Sequence, residues 1–92
     1  MHKIIVSQDT STQIVGDDKE YILIFVRYIC NYANVLLKNR GYVYLNQIYE
    51  MLGVEWDVSQ ENTYFTDNGY GEIKFDILCK SGKGFELGIY YK

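Results

Sequence analysis

The stretch from Asp17 to Gly41 constrains the fold more than any other part of the chain. Asp17 and Glu20 have the spacing of a capping box, a short acid at the N-cap and a Glu at the third helical position. Ile22, Phe25, Val26, Ile29, Ala33 and Leu36 follow at three- and four-residue steps, which gathers them on one helix face. Glu20, Arg27, Asn31, Asn34 and Lys38 fall on the opposite face. Lys38 and Arg40 suit the negative end of the helix dipole, and Gly41 is a natural residue just past the last turn. The pattern predicts a helix over 18–40, about six turns long. Most of its circumference is apolar, so it should be the central helix of the domain.

The remaining segments are read around that helix. Lys3–Val6 is a short β-branched run and reads as a strand, Asp9–Thr12 as a turn, and Gln13–Val15 as a segment that could pair back. Tyr42–Leu45 is a short β-type run. Asn46 is then expected to cap a second helix of two turns, with Ile48, Met51 and Leu52 at helical spacing and Gly53 closing it. Residues 54–71 are mostly irregular, with a turn at Asp67-Asn68-Gly69, where Asn and Gly tolerate positive φ. From Glu72 the period changes to two. Ile73, Phe75, Ile77 and Cys79 alternate with Lys74, Asp76 and Lys80, although Leu78 breaks the pattern. After Ser81-Gly82-Lys83-Gly84, residues Phe85, Leu87, Ile89 and Tyr91 alternate with Glu86, Gly88 and Tyr90, which predicts an antiparallel hairpin with one buried face. An isolated hairpin is marginal, so a third strand is expected from Thr63 to Thr66. The fold class is α+β: one long central helix and a short helix packed on a small antiparallel sheet.

A chain of 92 residues has room for one compact domain, spanning 1–92. It lacks proline, which disfavours a PPII linker. The start Met-His-Lys-Ile-Ile-Val runs directly into polar Ser7–Gln13, unlike an export signal. Arg27, Asn31 and Asn34 interrupt the apolar stretch Tyr21–Leu37, short of the roughly 18 apolar residues a membrane span needs. The expectation is a soluble protein of the cytoplasm with no membrane association. Cys30 and Cys79, each within an apolar pattern, are then expected to be reduced core residues.

Familiar catalytic constellations each lack a necessary part. His2 is the single histidine, it lies at the terminus, and the two cysteines are far apart, so no zinc pattern exists. A Cys–His nucleophile pair would need His2 to meet a buried thiol. The glycines of Gly69-Tyr70-Gly71 and Gly82-Lys83-Gly84 match neither a phosphate loop nor a dinucleotide fingerprint. Paired carboxylates carry no information in a chain with twelve acids. The expectation is a protein without catalytic residues, metal or cofactor. Tyr44–Tyr64 could be stretched into a helix-turn-helix, but it holds no Lys or Arg for phosphates, so direct nucleic-acid binding is not expected.

That missing charge extends further. No lysine or arginine occurs from Gly41 through Ile73, while Glu50, Glu55, Asp57, Glu61, Asp67 and Glu72 do. The span carries −6 against +3 for the rest of the chain, giving the net charge of −3. Tyr49, Trp56, Tyr64, Phe65 and Tyr70 are interleaved with the acids. Such a stretch is either a solvated acidic loop or a face that steers toward a basic surface and anchors through its rings. On the second reading the partner-binding residues are Glu50, Glu55, Trp56, Asp57, Glu61, Tyr64, Asp67, Tyr70 and Glu72.

The segment Arg40-Gly-Tyr-Val-Tyr-Leu-Asn-Gln-Ile-Tyr-Glu-Met-Leu-Gly53 resembles a signature of small bacteriophage-encoded proteins, in which a Gly-Tyr-Val run leads through Asn or Asp into a short helix ending Leu-Gly. Thr66-Asp67-Asn68-Gly69-Tyr70-Gly71 is similar to a later loop in some of them, which often has tryptophan near the final glycine where this chain has tyrosine. These motifs are structural and carry no activity with them. The resemblance implies a phage or mobile-element origin. On that basis the leading expectation is a non-catalytic inhibitor of a host defence system, anti-CRISPR-like, whose acidic face docks on a host protein with a basic nucleic-acid-binding surface. The alternatives are a small virion structural or assembly protein and a binder of a signalling nucleotide. A homodimer is a further option.

Overall fold

The computed structural model describes residues 1–7, 10–11, 19–81 and 84–92; the side chains of Lys19, Lys80 and Ser81 fall outside the description. The expected cap at Asp17, the segment Gln13–Val15 and the hairpin tip at Gly82 and Lys83 lie outside the described residues. Of the turn expected at Asp9–Thr12, Thr10 and Ser11 are described, and both donate their N–H to the Ser7 carbonyl at 3.2 and 2.8 Å.

Helix α1 spans Lys19–Arg40, with Glu20 in its first turn and Lys38 and Arg40 in its last. It ends where the sequence places a stop. Gly41 takes φ +84°, and its N–H reaches the Leu37 carbonyl at 2.7 Å, a left-handed cap that glycine adopts without Cβ strain. Val26, Ile29, Ala33 and Leu37 are buried, and Ile22, Phe25 and Leu36 pack against them. Among the described residues, the helix is enclosed on this side. Tyr21, Ile24, Tyr28, Tyr32 and Val35 on its other side are exposed. Asn34, expected among the outward polar residues, is half-buried. Its amide pairs with the backbone of Ile73, accepting from N–H at 2.7 Å and donating to the carbonyl at 2.9 Å. Among the described residues, no helix is long and apolar enough to cross a membrane.

The C-terminal hairpin forms as β4 (Ile73–Ser81) and β5 (Gly84–Tyr91). Its third strand is β1 (His2–Ser7), on the far side of β5. All pairings are antiparallel, with His2 opposite Ile89 and Ser7 opposite Gly84. The segment expected as third strand is a strand, β3 (Tyr64–Thr66), but it belongs elsewhere. It pairs with β2 (Tyr42–Tyr44) in a separate two-stranded sheet, Tyr42 opposite Thr66 and Tyr44 opposite Tyr64. The Gly41 turn delivers β2 beside β3, where the Asp67 N–H extends the pairing to the Gly41 carbonyl at 3.0 Å, so β3 pairs with β2 and not with the outer edge of β4.

Leu78 breaks the alternation because it is a bulge. Ile77 faces Leu87 and Cys79 faces Glu86, so one strand has an extra residue and its phase inverts. Cys79 is consequently exposed, which corrects the expectation of a core thiol. Cys30 is half-buried and its thiol donates to the Ile73 carbonyl at 3.3 Å. Burial pushes that thiol above its ordinary pKa, only partly opposed by a backbone hydrogen bond. His2 is not a loose terminal residue. It begins β1 and sets its ring edge-on to Phe65 at 5.9 Å.

Helix α2 spans Leu45–Met51. Its N-cap is Tyr44, two residues before the expected Asn46, with the Tyr44 N–H held by the Gln47 side chain at 3.0 Å. Asn46 lies inside the helix and is buried. Gly53 closes it at φ +77°. The core lies where Val6, Ile73, Phe85, Leu87 and Ile89 of the three-stranded sheet meet the inner face of α1, with Leu45 and Ile48 of α2, Leu52 at its C-cap, and Val43 and Phe65 of the small sheet completing it.

Candidate functional site

The acidic span folds into an excursion that leaves the body of the protein at β2 and returns at β3. Strand alternation sorts its rings. Val43 and Phe65 point inward and are buried, so Tyr42, Tyr44 and Tyr64 point outward. The three rings form an exposed ladder, Tyr42 to Tyr44 at 5.6 Å and Tyr44 to Tyr64 at 5.6 Å, both edge-to-face. The Arg40 guanidinium lies 5.5 Å from the centre of the Tyr42 ring and caps one end.

Between α2 and β3 the chain is irregular yet tied down. The Asn46 amide meets the backbone of Asp57 as a strand neighbour would, donating to its carbonyl at 3.0 Å and accepting from its N–H at 2.9 Å. The Asp57 carboxylate caps a 3-10 turn over Val58–Gln60, accepting from the Ser59 N–H at 3.0 Å and its hydroxyl at 2.6 Å. Thr63 donates back to the Gln60 carbonyl, and its own carbonyl receives the Leu45 N–H. At the other end, buried Ser11 donates its hydroxyl to the Leu52 carbonyl at 2.5 Å. Burial, reinforced by the nearby Asp57 charge, raises the pKa of Tyr49 on the inner side of α2.

The sequence-selected residues fall into two groups. Glu50, Glu55, Trp56, Asp57, Glu61 and Tyr64 are all exposed on the excursion. Trp56 presents 61% of its surface to solvent, and its neighbour Val58 presents 79%. Asp67, Tyr70 and Glu72 lie on a second turn, and there the acids are not alone. Lys38 reaches Asp67 at 3.0 Å and Lys74 reaches Glu72 at 2.6 Å. The Asp67 carboxylate also receives the Gly69 N–H at 2.9 Å, and these contacts hold its pKa below the ordinary carboxylate range. Glu72 is lowered by Lys74 in the same sense. The Tyr91 hydroxyl, bonded to the Asn68 side chain at 2.6 Å, accepts the N–H groups of Asn68 and Gly71 and braces this turn. Tyr70 stands at its tip, 97% exposed.

A stretch free of lysine along the chain is therefore not free of lysine in space. Among the described residues, the part without a salt bridge is the half from Glu50 to Glu61. Sequence reasoning passed over Tyr42, Tyr44 and Val58. The two tyrosines had a usable signal, the period-two runs Tyr-Val-Tyr and Tyr-Phe-Thr, each with one apolar residue pointing inward. Val58 had none, since an apolar residue in an irregular segment reads as buried. Among the described residues no group of three or more His, Cys, Asp or Glu could hold a metal ion. No family model, no curated protein and no solved structure matches this chain.

Proposed function

We propose that this chain is a non-catalytic binding protein that docks its excursion, residues 42–66, on a basic surface of a partner protein. The observation that carries the reading is the exposure of Glu50, Glu55, Asp57 and Glu61 beside Trp56, Val58 and the tyrosine ladder, on a backbone pinned by Asn46. Charges of one sign raise the encounter rate with an opposite surface, and pre-ordered rings lose little entropy on docking. The phage resemblance of Arg40–Gly53 and Thr66–Gly71 directs the choice of partner. We take it to be a host defence protein whose positive channel holds nucleic acid, making the chain an anti-CRISPR-like inhibitor.

The experiment is capture of partners from a bacterial host lysate on the tethered protein, followed by titration of the captured protein at increasing salt. Asp57 is left intact because its carboxylate caps the Val58 turn. Combined Glu50→Lys, Glu55→Lys and Glu61→Lys should weaken binding by well over tenfold, with unchanged circular dichroism. Binding indifferent to both salt and charge reversal would refute the proposal. Recovery of the chain in phage particles, with no effect on host defence, would instead favour a virion assembly role. A signalling-nucleotide role has less support. The groove of about 340 Å³ between α1 and β4 is lined by Arg27, Cys30, Asn31 and Asp76, so one cation and one acid share it.

A further inference from the structure

The outward side of α1 carries a row of large apolar residues that are substantially exposed to solvent. Ile24 is 67% exposed, Tyr28 64% and Val35 52%, with Tyr21 and Tyr32 each a little under half. Singly exposed apolar residues are ordinary, but this row is contiguous. Steps of three and four residues stack its members on one helix face. Three half-exposed tyrosines with an isoleucine and a valine offer roughly 500 Å² of ring and aliphatic surface, the size at which a patch marks an interaction site. With its polar rim, such a face approaches the roughly 800 Å² per partner that a standard interface buries.

The spacing fits a second copy of this chain. The exposed row runs 21, 24, 28, 32, 35, so its steps are the same read from either end and its centre is Tyr28. A second copy laid antiparallel on the first sets Tyr21 against Val35, Ile24 against Tyr32, and Tyr28 against itself. Every apolar member then meets an apolar member, and each contact occurs twice, as a two-fold interface requires. The row itself contains no charge. Arg27, Asn31 and Lys38 border it and remain accessible to water. Antiparallel pairing also brings the Glu20 end of one helix toward the Lys38 and Arg40 end of the other, so helix dipoles and end charges both favour it.

We infer that the protein forms a two-fold symmetric dimer through the outward face of α1, the helices antiparallel and the axis passing between the two Tyr28 rings. The surface is separate from residues 42–66, so failure here leaves the partner-docking proposal standing, and the reverse.

Sedimentation velocity on the full chain from about 1 to about 100 µM, where interfaces of this size without exceptional anchors associate, should show a monomer–dimer equilibrium. Tyr28→Glu sets two carboxylates against each other on the axis and should weaken dimerisation at least tenfold. The residue is solvent-exposed, so the circular dichroism spectrum should be unchanged. Ile24→Lys should act in the same direction. Val58→Lys, off this face, should leave the dimer intact. A wild-type chain that stays monomeric throughout the range overturns the inference and leaves the face to an unlike partner. A dimer that survives Tyr28→Glu overturns it as well, because another surface must then be holding it. Orientation is read in a Cys30→Ser, Cys79→Ser background with a short thiol cross-linker. Tyr21→Cys mixed with Val35→Cys should cross-link, and neither alone should; self-linking of either single variant refutes the antiparallel arrangement.

Discussion

Two asparagines do work that their positions in the sequence hide. Asn34 and Asn46 each use one amide to satisfy both the N–H and the carbonyl of a distant residue, Ile73 and Asp57 respectively. An amide side chain carries donor and acceptor side by side and so imitates a neighbouring strand. Asn46 is only 4% exposed, and truncating it leaves backbone groups without partners. With each such bond worth about 1 kcal/mol net and the orphaned groups adding to the loss, Asn46→Ala should cost about 2 kcal/mol. Urea denaturation checks this, and hydrogen exchange should show the loss concentrated at residues 54–61; uniform loosening would contradict the role. Asp67 gives a residue-scale pH effect. The Gly69 N–H and then Lys38 hold its carboxyl below the ordinary range. The folded state therefore favours the anion more than the unfolded chain does. That stabilisation is complete above the unfolded carboxylate value of about 4 and is lost as pH falls through the folded value. Tm should fall on acidification through this window, and Asp67→Asn should flatten the fall. Parallel curves for both proteins would exclude Asp67 as a contributor.

Each element is stable for a different reason. Helix α1 has a left-handed glycine stop, end charges that suit its dipole and periodic burial acting together, which makes its extent legible in the sequence. Its stop depends on one residue. A Cβ on Gly41 would meet nothing within 4 Å, so at φ +84° a side chain is opposed by backbone strain alone. Gly41→Ala should therefore cost about 1 kcal/mol, seen as a lower urea midpoint at unchanged m-value. A larger loss would mean that the turn also supports the β2–β3 pairing. Helix α2 is too short to persist in isolation. It survives because Leu45, Ile48, Tyr49 and Leu52 are buried and because Asn46 ties its first turn to the loop beyond. The β4–β5 hairpin shows how a single residue redirects an element. The bulge at Leu78 shifts the register, so the part before it follows the expected alternation and Cys79, directly after it, is turned out to solvent.

Taken whole, the molecule separates its surfaces. One side of the chain presents acids and rings on a pinned excursion, and the long helix presents an uncharged apolar row. A dimer through that row would carry two copies of the excursion and could engage a repetitive or symmetric partner twice. Its Tm should also rise with protein concentration, because association stabilises the native state by mass action.

The α+β class, the extent of α1, the hairpin and both glycine stops follow from local rules, and those rules need no knowledge of distant contacts. Period, capping and positive-φ preference act within a few residues. Tertiary structure alone decided which strand completes the sheet, because β1 and the Tyr64–Thr66 segment are both credible strands and only their partners, β5 for the one and β2 for the other, separate them. It likewise decided that Lys38 and Lys74 neutralise Asp67 and Glu72, so that the acidic span narrows to its Glu50–Glu61 half. Charge along a chain is additive, whereas charge in space depends on which side chains the fold brings within reach.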